Sequence, residues 1–173
     1  MPFTPFHFGL GYSTAGLEKR PRYFCFFAFV VTQVVIDIET LRNMLTGAPR
    51  LHTFFHTFLG STIAALISVG VSVVLILLLR RALSFFPAAL TKALDHYRLF
   101  PKVTPGALPL GISALFGAWS HVFLDSIMHS DVEPFAPFAT GNPMEGVISL
   151  GMLHLICTAL IGSGCFLVFT RKT

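Results

Sequence analysis

The chain has 173 residues and a formal charge of +4, with 54% hydrophobic and only 12% charged residues and a mean hydropathy of +0.75. Soluble domains carry about 25% charged residues, so this composition excludes an ordinary soluble domain and points to an integral membrane protein. In such a chain the placement of Lys and Arg matters more than their total, and nothing suggests nucleic-acid binding.

The N-terminus, Met1 to His7, lacks the basic region and small-residue cleavage site of a signal peptide and is read as mature sequence. Thr4 is the expected N-cap of a first helix and Pro5 its first residue, where a missing N–H costs nothing. An apolar run from Phe8 to Leu17 follows, and a charged turn, Glu18 to Arg22, holds the helix-stopping Pro21. A second apolar run, Tyr23 to Ile38, is interrupted by Asp37 and followed by Glu39. As helices the two arms are short against a hydrocarbon core of about 30 Å. Residues 1–41 are therefore expected as an antiparallel hairpin that sets His7 level with Asp37 and Glu39.

Beyond a polar connection holding Arg42 and Arg50, His52-Thr-Phe-Phe-His56 runs into the apolar stretch Leu59 to Leu79, which ends at Arg80-Arg81. Residues 51–81 are predicted as a membrane helix, with His52 and His56 on one face at the end away from the arginines. Residues 82–105 mix apolar side chains with Lys92, Asp95, His96 and Arg98 and read as an interfacial segment on the membrane. His96 there is expected as a solvated surface residue. Residues 106–130 form the next predicted span, with His121, Asp125 and His129 spaced i, i+4, i+8 at its far end. A loop over 131–146 carries Asp131, Glu133 and several prolines, and 147–170 is the last span, with His154 near its start. Cys25, Cys157 and Cys165 lie in apolar runs without CxxC spacing and read as small core residues. Trp119 and the phenylalanines read as packing and belt residues.

The expected architecture is all-α: a polytopic helical membrane protein with about five membrane-embedded helices, including the short hairpin, and one interfacial segment. Ten of the twelve Lys and Arg fall at one end if Lys19 to Arg22, residues 80–106 and the C-terminus share a side; only Arg42 and Arg50 fall opposite. By the positive-inside rule that end is cytoplasmic. Six of the seven histidines, with Asp37, Glu39, Asp125 and Asp131, then gather at the other end. Ionisable groups cost several kcal/mol at membrane depth, so their convergence marks a site. Imidazole and carboxylate together suit one or two divalent ions, zinc first, with manganese or iron also compatible. His7, Asp37, His52, His56, His121 and Asp125 are the candidate ligands, and His129 and His154 possible additional ones. Glu39 and Asp131 are candidate general acids or bases. Arg42 and Arg50 could hold an anionic part of a substrate. Hydrolysis of an ester or phosphoester at headgroup depth, on a lipid or lipid-linked substrate, is the leading expectation. A metal-ion or proton transporter and a non-catalytic protein with a structural metal are the alternatives. Oligomeric state is not legible.

The order His7, Asp37-Ile38-Glu39, His52-Thr-Phe-Phe-His56-Thr57, Ser120-His121-xxx-Asp125 and Pro134-Phe-Ala-Pro137-Phe resembles the predicted inner-membrane metal-dependent hydrolases of the YdjM-like group, over nearly the whole chain. The resemblance implies a bacterial inner-membrane protein with a metal site, and marks His7, Asp37, His52, His56, His121 and Asp125 as ligands. The chain departs from the pattern in three places. Its paired histidines are four apart where five is usual, Glu39 stands where a second Asp is usual, and His129 is additional.

Overall fold

A computed structural model describes residues 6–18, 23–101 and 103–170. Among them the protein is all-helical, with six helices: α1 Phe8–Leu17, α2 Phe26–Leu45, α3 Phe58–Leu83, α4 Ala88–His96, α5 Ala107–Met128 and α6 Leu150–Phe169. Of these, α3, α5 and α6 are long and apolar enough to cross a membrane. The expected Thr4 cap and Pro5, the turn residues Lys19 to Arg22, Lys102 and the basic pair Arg171-Lys172 lie outside the described residues.

A bundle of α2, α3 and α5 forms the centre. Its contact surfaces are built from small side chains: Ala64 and Ala65 of α3 and Ala114 and Ala118 of α5 pack around Ile36 of α2. Lipid tails are as apolar as the helices, so close backbone approach and dispersion, rather than exclusion of water, hold such surfaces together. Gly117 of α5 is one place where this is decisive, because a Cβ there would lie 2.9 Å from the Phe29 carbonyl oxygen of α2. Ser113 of α5 ties the same pair, accepting from the Cys25 amide at 2.7 Å and donating to its own Pro109 carbonyl at 2.6 Å.

The N-terminal arm differs from the expected hairpin in its partner. Although α1 follows an antiparallel course before α2, its small-residue face, Gly9, Ser13 and Gly16, is seated on α6. Ser13 donates to the Leu160 carbonyl and lies 2.8 Å from Ser163 Oγ, and Gly164 of α6 faces the Tyr12–Ser13 backbone. The first and last helices are therefore paired, and Phe24, Phe29 and Phe116 join them to the central bundle. The second arm is also longer than expected. It does not stop near Ile38 but continues to Leu45, with Arg42 in its last turn. Asp37 and Glu39 thus sit inside a helix rather than at its C-terminus, where carboxylates would oppose the helix dipole.

The paired-histidine segment is not helical as predicted. Residues 51 and 52 bend, Phe54–His56 form a single 3-10 turn, and α3 begins only at Phe58. Thr57 takes the N-cap, its hydroxyl accepting from the Gly60 amide at 2.8 Å, an interaction worth about 1 kcal/mol. The turn folds back against this first helical turn, so Gly60 has no room for a side chain against the Phe54 carbonyl. Likewise α5 ends at Met128, one residue short of His129, whose extended backbone takes it out of the row begun by His121 and Asp125. The following loop reaches Ser149, the N-cap of α6. At the opposite end α4 has no buried residue and carries His96, as expected for a surface segment.

Candidate metal centre

Four donors converge where α2, the 3-10 turn and the end of α5 meet: Asp37 Oδ1, His56 Nε2, His121 Nε2 and Asp125 Oδ2. The sequence places them there by three local devices. The i, i+4 spacing stacks His121 above Asp125 on the buried face of α5, α2 carries Asp37 to the same depth, and the turn capped by Thr57 aims His56 inward. His121 Nε2 lies 3.1 Å from Asp125 Oδ2, 3.3 Å from Asp37 Oδ1 and 3.4 Å from His56 Nε2. His56 Nε2 lies 3.4 Å from Asp125 Oδ2 and 3.9 Å from Asp37 Oδ1.

These separations fit one cation. Four donors placed tetrahedrally at metal bond lengths of about 2.0–2.1 Å stand about 3.3–3.4 Å apart. The ring positions agree: imidazoles sharing such an ion through Nε2 need centroids about 5 Å apart, and those of His56 and His121 are 5.3 Å apart and tilted by 60°. Three of the side chains are enclosed, His56 at 0%, His121 at 1% and Asp125 at 5% exposure, while Asp37 is 31% exposed. Among the described residues the cage is therefore most exposed on the Asp37 side.

A second group, His52, His129 and Asp131, adjoins the first, the His52 and His56 rings being 4.7 Å apart. Its geometry is different. His52 and His129 are stacked at 4.3 Å with 29° between planes, too close and too parallel to converge on one ion in this arrangement. Asp131 instead accepts from His52 Nδ1 at 2.8 Å and from the amides of Leu51 and His52 at 3.0 and 3.1 Å. Burial raises the Asp131 carboxyl pKa, but these hydrogen bonds outweigh it and hold the group below its usual range. Burial lowers the His129 imidazole, against the pull of Asp125. The arrangement pins the loop after α5 to the segment before the turn.

The expected ligands thus divide. Asp37, His56, His121 and Asp125 come together; His52 joins His129 and Asp131. His7 lies behind the cage, its Nδ1 3.2 Å from His121 Nδ1 and its Nε2 3.5 Å from Asp125 Oδ1, the carboxylate oxygen other than the one facing the cage. Burial pushes the His7 imidazole down to about 4, with Asp125 opposing. Of the two acids expected level with His7, Asp37 is near enough to act on its imidazole. Glu39 binds the amides of Phe54 and Phe55 at 3.1 and 2.8 Å, with its Oε2 3.6 Å from His56 Nδ1. His154 packs its ring 5.0 Å from Phe6 and belongs to neither group. Arg50 is bound into the loop, through the Asp131 carbonyl at 2.8 Å and Glu133 at 3.3 Å, and Arg42 is exposed on α2. Between Arg50, Thr53, Phe54, Leu59 and Pro137 lies a cleft of about 290 Å³. Sequence reasoning missed Gln33, which is fully buried and brings Oε1 within 2.5 Å of His121 Nδ1. Its position four residues before Asp37 was the available signal.

One family model matches residues 1–162, nearly the whole chain. The chain belongs to the family described as Domain of unknown function (DUF4184). No curated protein and no solved structure matches it. What this DUF4184 chain does must therefore be argued from its cage.

Proposed function

We propose that the protein is a membrane-embedded metal-dependent hydrolase with a single ion, zinc by donor set and separation, acting on an ester or phosphoester of a lipid or lipid-linked substrate. The observation that carries this reading is the four-donor cage of Asp37, His56, His121 and Asp125 at one end of long apolar helices. Two neutral imidazoles and two carboxylates balance the charge of a divalent ion, and a tetrahedral cage favours zinc over ions that prefer six oxygens. A divalent ion held there would supply Lewis acidity toward a carbonyl or phosphoryl oxygen.

The protein's own residues supply the rest. His7 faces the outer oxygen of Asp125 and orients it, Asp37 borders the open side through which a substrate enters, and the bundle excludes water from the other sides. The cleft beside Phe54 and Leu59 offers an apolar wall with Arg50 and Glu133 at its border, close to the start of α3. The YdjM-like resemblance supports a bacterial inner membrane, and the Lys and Arg distribution supports placing the cage on the non-cytoplasmic side. Glu39, engaged with the turn, is assigned no proton transfer; Asp131 is engaged with His52.

Four protein donors by themselves make a closed, structural sphere, so catalysis requires a substrate oxygen to join as a fifth donor or to displace Asp37, the most exposed of the four. Transport finds less support, because the buried hydroxyls of Thr32, Ser68 and Ser113 are bonded to carbonyls of their own helices rather than forming a continuous ionisable path. The test is elemental analysis of protein purified without chelator, followed by assays on ester and phosphoester lipids. One zinc per chain is expected, lost in His121→Ala and Asp125→Ala together with hydrolysis. Metal-free wild type would end the proposal, and metal-replete protein inactive on every lipid ester tested would remove the hydrolase part.

A further inference from the structure

We infer that Gln33 and Glu39 are positioning residues that fix Nε2 of His121 and of His56 as the cation-facing nitrogens. The inference rests on the metal reading above. Neutral imidazole carries its proton on either nitrogen, and the hydrogen bond made by one decides which lone pair the other offers. In both cage histidines Nδ1 points away from the cage. For His121, Gln33 Oε1 stands 2.5 Å from that nitrogen and His7 Nδ1 stands 3.2 Å away, so a proton on Nδ1 has acceptors and the Nε2 lone pair is left inward. For His56, Glu39 Oε2 is 3.6 Å from Nδ1, beyond hydrogen-bond length but close enough for its charge to favour the proton on that nitrogen, which has no hydrogen-bond partner among the described residues.

The cost of Gln33 strengthens the assignment. It is fully buried in the central bundle, and among the described residues its amide Nε2 has no hydrogen-bond partner. An unsatisfied buried amide is destabilising, a cost that an aliphatic side chain of similar size would avoid. Packing alone therefore does not account for glutamine here, whereas an acceptor aimed at His121 does. Glu39 has a second use in the same device. By binding the amides of Phe54 and Phe55 it holds the turn that carries His56, so one carboxylate sets both the position and the tautomer of that ring. Gln33, Asp37 and Thr40 follow one another at i, i+4 and i+7 on α2, and Thr40 Oγ1 lies 3.5 Å from His56 Nε2. A single helix thus contributes one ligand and the orientation of two others.

The test compares wild type, Gln33→Met, Gln33→Glu and Glu39→Gln in detergent, titrated with zinc against a competing chelator and with cobalt(II) followed by its visible spectrum. Gln33→Met, which removes the acceptor at similar volume, should weaken zinc binding about 10–100-fold and change the cobalt spectrum. Gln33→Glu keeps an acceptor and should retain both near wild type. Unliganded Gln33→Met should unfold thermally no earlier than wild type, since its buried orphan amide is gone. Glu39→Gln should also bind zinc more weakly. If Gln33→Met, or Glu39→Gln where the former does not fold, matches wild type in zinc affinity and cobalt spectrum, the positioning role is overturned while the metal site stands. If wild type binds neither ion, the metal reading falls and this inference with it.

Discussion

Asp131 shows how a residue can belong to a site's neighbourhood without belonging to its cage. Its carboxylate accepts from His52 and from two backbone amides, and its pKa is lowered in the folded protein. A carboxyl with a depressed folded pKa contributes stability that is present above its unfolded value, near 3.8, and is lost as pH falls through the lower folded value. Acidification below about 4 should therefore release the loop after α5 from the 50–52 segment. Hydrogen exchange at the Leu51 and His52 amides, corrected for intrinsic rate, should accelerate there, and Asp131→Asn should show weakened protection already at neutral pH. Unchanged protection in both cases would mean that the loop is held by something else. At this scale the four cage residues were legible because His and Asp stand out beside or within apolar runs. Gln33 was not, since an uncharged amide is a much weaker signal even four residues before Asp37; its meaning appears only when α5 is brought alongside.

At the scale of elements, apolar periodicity located the helices but not their partners. The hairpin reading assumed that sequence neighbours pack together, whereas the small-residue face of α1 is matched by Gly164 and Ser163 of α6. Small faces tell that a close approach is made, not by which helix. A Cβ on Gly164 would lie 2.8 Å from the Ser13 amide nitrogen, a backbone atom that cannot step aside, whereas one on Gly162 would meet nothing. Gly164→Ala should therefore destabilise by about 1–3 kcal/mol through overpacking. Gly162→Ala, which gains helix propensity with no clash, should be neutral or slightly stabilising. Thermal unfolding of the two variants side by side tests the pairing, and equal midpoints would argue against it. The paired histidines were misread for a related reason. An i, i+4 pair fits a helix and also fits a bend followed by a 3-10 turn, and only Thr57, a capping residue just ahead of the apolar run, marks the true start of α3.

For the whole molecule, composition alone was enough for a helical membrane fold, because long uncharged runs have few alternatives in lipid. The clustering of ionisable groups at one end was legible too, since the segments carry their histidines and acids at matching heights. How the clusters divide was not, because that depends on sub-ångström convergence of donors from separate elements. This division has a measurable consequence. The cage draws on α2, the turn before α3 and α5, so a cation bound to it stabilises the assembled bundle and not the separated segments. At a free concentration of about 100 times its dissociation constant, such an ion adds about 2.7 kcal/mol. For a protein of this size that corresponds to roughly 5–10 °C in the unfolding midpoint. Chelation should lower the midpoint by this order, and restoring zinc should recover it. Asp125→Asn should unfold at the same temperature with or without zinc. His52→Ala, outside the cage, should lose some stability through Asp131 yet keep the full zinc-dependent shift. A zinc-dependent shift that disappears in His52→Ala would instead show that the two groups act as one site.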